Sequence, residues 1–281
     1  MRRSPARLAA RTATFYLPLG AFLVFLLFPF YWMLVTAFKP NADLYNPRLS
    51  PFWTWHPTLD HVRFLFTQSH YPAWLWNTTW VAVASTLISV TVSLLAAYAI
   101  QRLRFPGSGG LGIAIFLTYL VPPIILFIPL ADIVFHLRLF DSLWALTITY
   151  PTFLIPFCTW LLMGYFKSIP REMEESARID GASWLGVVWR IILPLSLPGI
   201  FSSTIFAFTL SWNEYLYALV FITSPERLTV PVGSIIELVT GDVYHWGPLM
   251  AAALVGSIPV ALVYSFFVEH YVSALSGALK D

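Results

Sequence analysis

Six stretches of this sequence run for more than about 20 residues without an Asp, Glu, Lys or Arg, which is the length an apolar helix needs to cross a bilayer. They lie at 12–38, 64–101, 105–131, 142–166, 191–213 and 243–268. Only 11% of the 281 residues are charged and 58% are hydrophobic. A soluble domain carries roughly 25% charged residues, so this chain cannot clothe a globule for water and must face lipid. Lipid offers the backbone no hydrogen-bond partners, so each stretch must be a helix or part of a closed barrel. Runs such as 21–30 lack the alternation a barrel strand requires. The expected fold is an all-α integral membrane protein, one transmembrane domain over 1–281 with six transmembrane helices. Trimmed to apolar cores, the spans fall at about 14–37, 75–100, 111–130, 143–166, 198–222 and 247–268.

The first of these follows an Arg-rich start, as in a signal peptide. Its uncharged run is far longer than the roughly 7–15 residues of a signal core, and no small-residue cleavage pattern closes it, so it is expected to stay as a span. Orientation follows from Lys and Arg in the connecting segments. With the N-terminus inside, the inner segments hold eleven of the 16 basic residues, among them Arg102, Lys167, Arg171 and Arg178. The outer segments hold five: Lys39, Arg48, Arg63, Arg138 and Arg227. The expectation is N-in and C-in. The net charge of +2 gives no footing for nucleic acid, and the single cysteine, Cys158, excludes a disulfide framework or a Cys-based metal site. Membrane lipid is a partner by necessity.

One segment departs from this apolar pattern. Residues 167–197 hold eight charged residues, seven of them in the first part, and a second part that is apolar and periodic apart from Arg190. Ser168 and Pro170 suit a helix start. Glu172, Glu174 and Glu175 follow in the first turns, where acids complement the helix dipole. Gly181 is placed to end that helix in a left-handed conformation. Then Trp184, Val187, Val188, Ile191 and Ile192 fall at amphipathic spacing, and Pro194 and Pro198 hand the chain back to the membrane. Two short helices joined by a glycine hinge are expected on the inner face. They lie either in lipid headgroups or in the groove of a protein partner. The acidic cluster favours the partner, because inner-leaflet lipid is anionic.

The same residues carry a resemblance. Glu175, Ser176, Ala177, then after three residues Gly181, and after nine more Ile191, Leu193 and Pro194, resemble the EAA loop of permease subunits of bacterial ABC importers. Ser176 stands where the first alanine of that motif would be. Asp180 and Ala182 match the form found in the maltose-type carbohydrate branch. Thr36, Phe38, Lys39 and Pro40 also agree with that branch, as do Trp76, Asn77 and Thr78. Ala97, Tyr98 and Ala99 ahead of Arg102, then Trp212, Asn213 and Glu214, extend the likeness along nearly the whole chain. The resemblance implies an assembly of two permease subunits, a dimer of ATPase subunits and an external solute-binding protein. In it Glu174, Glu175, Ser176, Ala177, Asp180, Gly181, Ala182, Trp184, Ile191, Leu193 and Pro194 form the coupling element. No cofactor is expected on this chain, which has no phosphate-cradling GxxxxGK sequence. ATP and Mg would sit on the partner ATPase, so the chain is a transport subunit and not an enzyme.

Other residues carry weaker signals. Trp212, Asn213 and Glu214, near the outer end of the fifth span, either face a solute path or reach interfacial water. Relatives in this branch use the last outer loop to contact the binding protein, which here points to Gly241, Asp242, Tyr244 and Trp246. The plain alternative is a solvated connector with one anchoring Trp. Trp53, Trp55, Trp74, Trp76 and Trp246 could stack on sugar faces, but an interfacial belt explains them without substrate. His56, His61 and His70 lack metal-site spacing. Ser89, Ser93 and Ala97, and Ala252 with Gly256, have the spacing of close helix contacts. A secondary transporter working without an ATPase is the rival reading; it needs coupling-ion sites on repeated halves, and the sequence offers neither. With no Arg cluster inside a span, a neutral sugar is the expected cargo.

Overall fold

A computed structural model describes residues 12–103, 105–240 and 243–277. A π-helical turn, Thr12–Tyr16, leads into α1, Leu17–Phe38. Short helices α2, Asn41–Leu44, and α3, Asp60–Thr67, precede the long α4, Tyr71–Arg102. Next come α5, Ser108–Tyr119, α6, Pro123–His136, α7, Leu143–Thr149, and α8, Pro151–Ser168. The polar segment forms α9, Glu172–Ile179, and α10, Trp184–Val187, which runs through a π-helical stretch, Val188–Ile192, into α11, Leu193–Leu195. The chain then makes α12, Leu197–Trp212, α13, Leu216–Phe221, and α14, Val230–Leu238. A small hairpin, β1 Val239–Thr240 with β2 Val243–Tyr244, leads into α15, Trp246–Gly277.

Among the described residues, four helical runs are long and apolar enough to cross a membrane: Ala13–Phe38, Tyr71–Arg102, Leu143–Ser168 and Trp246–Phe267. Two more are bent pairs, Ser108–Tyr119 with Pro123–His136 at 95° and Val188–Leu195 with Leu197–Trp212 at 65°, giving six if each pair is one span. The bends fall at prolines, which cannot donate to the preceding turn: Pro122 and Pro123 in the first pair, Pro194 and Pro198 in the second. The fold is thus an all-α membrane protein, as expected, with the third and fifth apolar runs broken rather than straight.

Two compact units divide the chain, residues 1–71 with 234–257 and residues 72–233 with 258–281. In the first unit α1 packs on α3. Beyond that contact its surface is apolar on all sides, with Phe25 78% exposed, the signature of a helix solvated by lipid. The buried Tyr71 hydroxyl donates to the Ala252 carbonyl at 2.7 Å. Two histidines of this unit are engaged locally. His61 Nε2 is 2.9 Å from the Lys39 carbonyl, and His70 Nδ1 is 2.9 Å from Glu237 Oε2. Among the described residues no group of three or more His, Cys, Asp or Glu could hold a metal.

In the second unit α8 is the central post, with α5 on one side and α12 on another. Close approach is enforced by two glycines. A Cβ at Gly112 of α5 would stand 2.5 Å from Met163 of α8, and one at Gly199 of α12 would stand 2.7 Å from the Tyr165 ring. Ser89, Ser93 and Ala97 of α4 are fully buried, and Ser93 donates to the Ile155 carbonyl of α8. The small-residue face on α4 therefore packs within the subunit.

A clasp joins the α6–α7 turn to the segment after α13. Asp141, at φ 58°, accepts from the amides of Thr223 and Ser224 and from the Ser224 hydroxyl, and Arg227 lies 3.3 Å away. Burial alone would raise this carboxyl, but the Ser224, Thr223 and Arg227 partners outweigh it and hold the group at about 2 against an ordinary 3.8. A depressed acid stabilises the fold above its unfolded value and loses that contribution as pH falls through the folded one. Asp141→Asn is therefore expected to lower the thermal midpoint in detergent at pH 7 by about 2–4 °C, the shift for about 1 kcal/mol in a chain of this size. Melting curves at descending pH should show the gap narrowing below about pH 4.

Candidate functional site

The polar segment folds on the ends of α4 and α8. Its acids occupy the first turn of α9, and Gly181 closes the helix at φ +87°. The Ala182 amide donates to the Ala177 carbonyl at 3.0 Å and the Gly181 amide to the Arg178 carbonyl at 3.1 Å. This is the paired closure a left-handed residue permits. A side chain at 181 would meet nothing within 4 Å, so glycine is required there by the backbone alone. Beyond the turn, the Arg178 guanidinium lies 4.0 Å over the Trp184 ring.

The apolar stripe points inward. Val187 and Ile192 are buried in a cluster with Ala97 of α4 and Leu162, Phe166 and Ile169 at the end of α8, and Ala177, Ala182 and Ile200 pack against it. The expectation placed the helix pair either in lipid headgroups or in a partner's groove. The chain's own helix ends supply the groove, and the stripe fixes the segment to them. Trp184 remains 45% exposed, and Ile191 and Leu193 are half-buried.

Glu174 stands apart from the exposed acids. It is 7% exposed and faces Arg102 at the last position of α4, with Nε 2.8 Å from Oε1 and side-chain exposures of 5% and 9%. The contact is one of charge, since the two atoms do not form an aligned hydrogen bond. Arg102 Nη2 also donates to the Phe166 and Ile169 carbonyls at 2.9 Å each, satisfying the open end of α8. Arg171 returns the favour, donating to the Gln101 carbonyl of α4 at 2.7 Å. Removing one member of a buried pair strands the other charge and costs about 3–5 kcal/mol. Arg102 was visible in the sequence as the basic residue ending an uncharged run; its pairing with Glu174 was not.

What α9 presents outward is the opposite face. Glu172, Met173, Glu175, Ser176, Arg178, Ile179, Asp180 and Gly181 are exposed, as is Pro194 further on, and Ile179 reaches 86%. An exposed isoleucine among acids on an eight-residue helix is a surface with an unburied apolar centre and a charged rim.

The remaining candidates divide. Trp212 is buried, stacking on Phe208 at 5.5 Å. Glu214 is half-buried. Its carboxylate accepts from the Tyr150 hydroxyl at 2.8 Å, the Tyr217 amide at 2.8 Å and the Ala218 amide at 3.1 Å, capping α13 at the break in the fifth run. Asn213 alone of the three is exposed, its amide donating to the Thr209 carbonyl. In the other unit, β1 pairs with β2 in the register Val239↔Tyr244 and Thr240↔Val243. The Tyr244 and Trp246 rings stack at 5.1 Å and 13°, both partly exposed. Gly241 and Asp242 lie outside the described residues.

Comparison with known proteins agrees over nearly the full length. Residues 89–277 match the family described as binding-protein-dependent transport system inner membrane component. The Escherichia coli K12 inner membrane ABC transporter permease protein YcjP is 36% identical over 271 residues, covering 95% of each chain. The trehalose/maltose transport system permease protein MalG of Thermococcus litoralis is 36% identical over 268 residues, 93% of this chain and 95% of its own. The sulfoquinovosyl glycerol permease SmoH of Agrobacterium fabrum is 37% identical over 257 residues, 90% and 89% of the two chains. The fold matches a chain in the crystal structure of a bacterial ABC transporter involved in alginate import, with TM-score 0.81 at 22% identity, over 96% of this chain and 99% of that one. This chain belongs to the family of binding-protein-dependent transport system inner membrane components: it is an inner-membrane permease subunit of an ABC importer, a transport subunit rather than an enzyme.

Proposed function

We propose that this chain forms one half of the pore of a sugar or oligosaccharide importer, beside a second permease subunit, with its N- and C-termini in the cytoplasm. A separate ATPase dimer carries ATP and Mg, and an external solute-binding protein delivers the cargo. The observation that carries this reading is the outward face of α9. Three acids, Glu172, Glu175 and Asp180, and one base, Arg178, surround an exposed Ile179 there, while the apolar stripe of the segment is fastened to the bundle. Such a face suits a protein cleft better than anionic headgroups. Glu175, Ser176, Asp180 and Gly181 are the docking residues. Ala177, Ala182, Ile191 and Leu193 hold the segment in place behind them, with Trp184 and Pro194 at its margin. Closure of the ATPase dimer on ATP moves this segment and tips the pore between two states. Asn213 is the residue assigned to the solute path, and Tyr244 and Trp246, with Gly241 and Asp242, to the binding-protein contact. The sugar assignment is supported by the relatives, whose names specify trehalose/maltose, sulfoquinovosyl glycerol and diacetylchitobiose.

Reconstitution tests the reading. Proteoliposomes holding this chain, its second permease subunit and the ATPase should take up sugar only with ATP and the loaded binding protein. Uptake by this chain alone, driven by an ion gradient, would establish the secondary-transporter alternative. Within the complex, Glu175→Lys is expected to reduce co-purified ATPase sharply, because like charges brought together at an interface cost several kcal/mol. A full ATPase complement on that variant would move the contact elsewhere.

A further inference from the structure

We propose that Arg102 and Glu174 are positioning residues for transport: a buried, charged joint through which the coupling segment moves α4. The inference rests on the docking reading above. It adds the route by which motion at the docking face enters the membrane.

Helix α9 is eight residues long, too short to hold its own orientation in isolation. On one side it meets the Gly181 turn and on the other the short link after α8. Its direction is therefore set by what it touches. One guanidinium makes the decisive contacts: Arg102 holds Glu174 of α9 at 2.8 Å and the Phe166 and Ile169 carbonyls at the end of α8 at 2.9 Å. Arg171, at the start of α9, holds the Gln101 carbonyl of α4 at 2.7 Å. Three helix ends are thereby tied at one point.

The rest follows from geometry. Helix α4 runs 32 residues, Tyr71–Arg102, about 48 Å at 1.5 Å per residue, against about 30 Å of hydrocarbon. The overshoot carries Arg102 out to the coupling segment. Pro72 lies in the first turn of α4 and the rest of the helix holds no proline, so displacement at its end moves a stiff rod. Glu174 and Glu175 are adjacent, about 100° apart around the helix: one faces the docking side, the other the joint. An apolar contact at this point would slide. The planar fork of an arginine, bound at several points, resists both sliding and rotation.

The test uses the assembled complex, with this chain, the second permease subunit, the ATPase and the binding protein in proteoliposomes. Two quantities are read, ATPase recovered per permease and solute imported per ATP hydrolysed. Arg102→Lys keeps the charge but loses the fork. Glu174→Gln keeps the shape but loses the charge. Each is expected to retain its full ATPase while solute per ATP falls by about fivefold or more, the scale of a typical coupling energy. The double variant should be no worse than the poorer single one, since both break one joint. If the single variants fail to accumulate, Arg102→Met with Glu174→Met removes both charges together, an exchange that buried ion pairs often tolerate. Its yield should recover while its transport ratio stays low. A transport ratio indistinguishable from wild type in a fully assembled variant would overturn the inference and leave the docking reading intact. Loss of ATPase from Glu174→Gln would overturn it differently, making Glu174 a docking residue. A wild-type chain that recovers no ATPase would sink the docking reading and this inference with it.

Discussion

Gly181→Pro is expected to abolish transport while the chain still reaches the membrane at wild-type level. The backbone at 181 sits at φ +87° and its amide donates to the Arg178 carbonyl. Proline holds φ near −65° and has no amide hydrogen, so it reverses the direction of the chain at this point and removes the bond. A misplaced proline costs about 3 kcal/mol or more. At about 1.4 kcal/mol per tenfold, the correct arrangement becomes more than about 100-fold rarer. Gly181→Ala meets no steric obstacle, so its penalty is that of the left-handed backbone alone, about 1–2 kcal/mol. Uptake assays should therefore rank wild type, Ala and Pro in that order, with Ala down by about 5–30-fold. Equal uptake in wild type and the Pro variant would remove the hinge from the mechanism.

The second large effect is expected at the hairpin before α15. Replacing residues 241–245 with a Ser-rich linker of equal length should leave assembly and basal ATP hydrolysis unchanged but eliminate stimulation by loaded binding protein. The hairpin is braced from below. The Tyr45 hydroxyl donates to the Tyr244 carbonyl at 3.1 Å, and the His245 amide donates to the Leu238 carbonyl at 3.1 Å. Its second strand and the start of α15 offer Val243, Tyr244 and Trp246, all more than a third exposed. Aromatic anchors of this kind contribute about 2 kcal/mol or more to a protein interface, so Tyr244→Ala alone should weaken stimulation by more than about tenfold. Stimulation at wild-type level in the linker variant would reduce the hairpin to a connector and direct attention to residues 38–74.

These sites were legible to different degrees. Uncharged length alone revealed six apolar runs, because charge is excluded wherever lipid is the solvent. It could not reveal that the runs holding Pro122 and Pro194 bend by 95° and 65°, since membrane helices elsewhere in this chain absorb Pro29, Pro156 and Pro259 without a break. Glycine spacing identified the turn at 181, a local property of the backbone. Periodicity located the stripe at Val187 and Ile192 but not the surface that covers it, because an amphipathic pattern is blind to whether its partner is lipid, another protein or the same chain. Glu174 illustrates this limit. Beside Glu175 in sequence, it is distinguished only by Arg102, 72 positions away on another helix. Glu214 was likewise legible as a costly charge in an apolar run, but its role as a cap depends on the break after Trp212 and on Tyr150.

Docking through the outward face of α9 can be read directly by single-cysteine cross-linking in the assembled complex, with the native Cys158 buried. A photoactivatable maleimide is placed at Ile179→Cys on the exposed face and at Val187→Cys on the face against α4 and α8. The expected result is an ATPase adduct from position 179 and none from 187. An adduct from 187 with none from 179, or none from either in a complex that hydrolyses ATP and imports sugar, would contradict the placement of the coupling face.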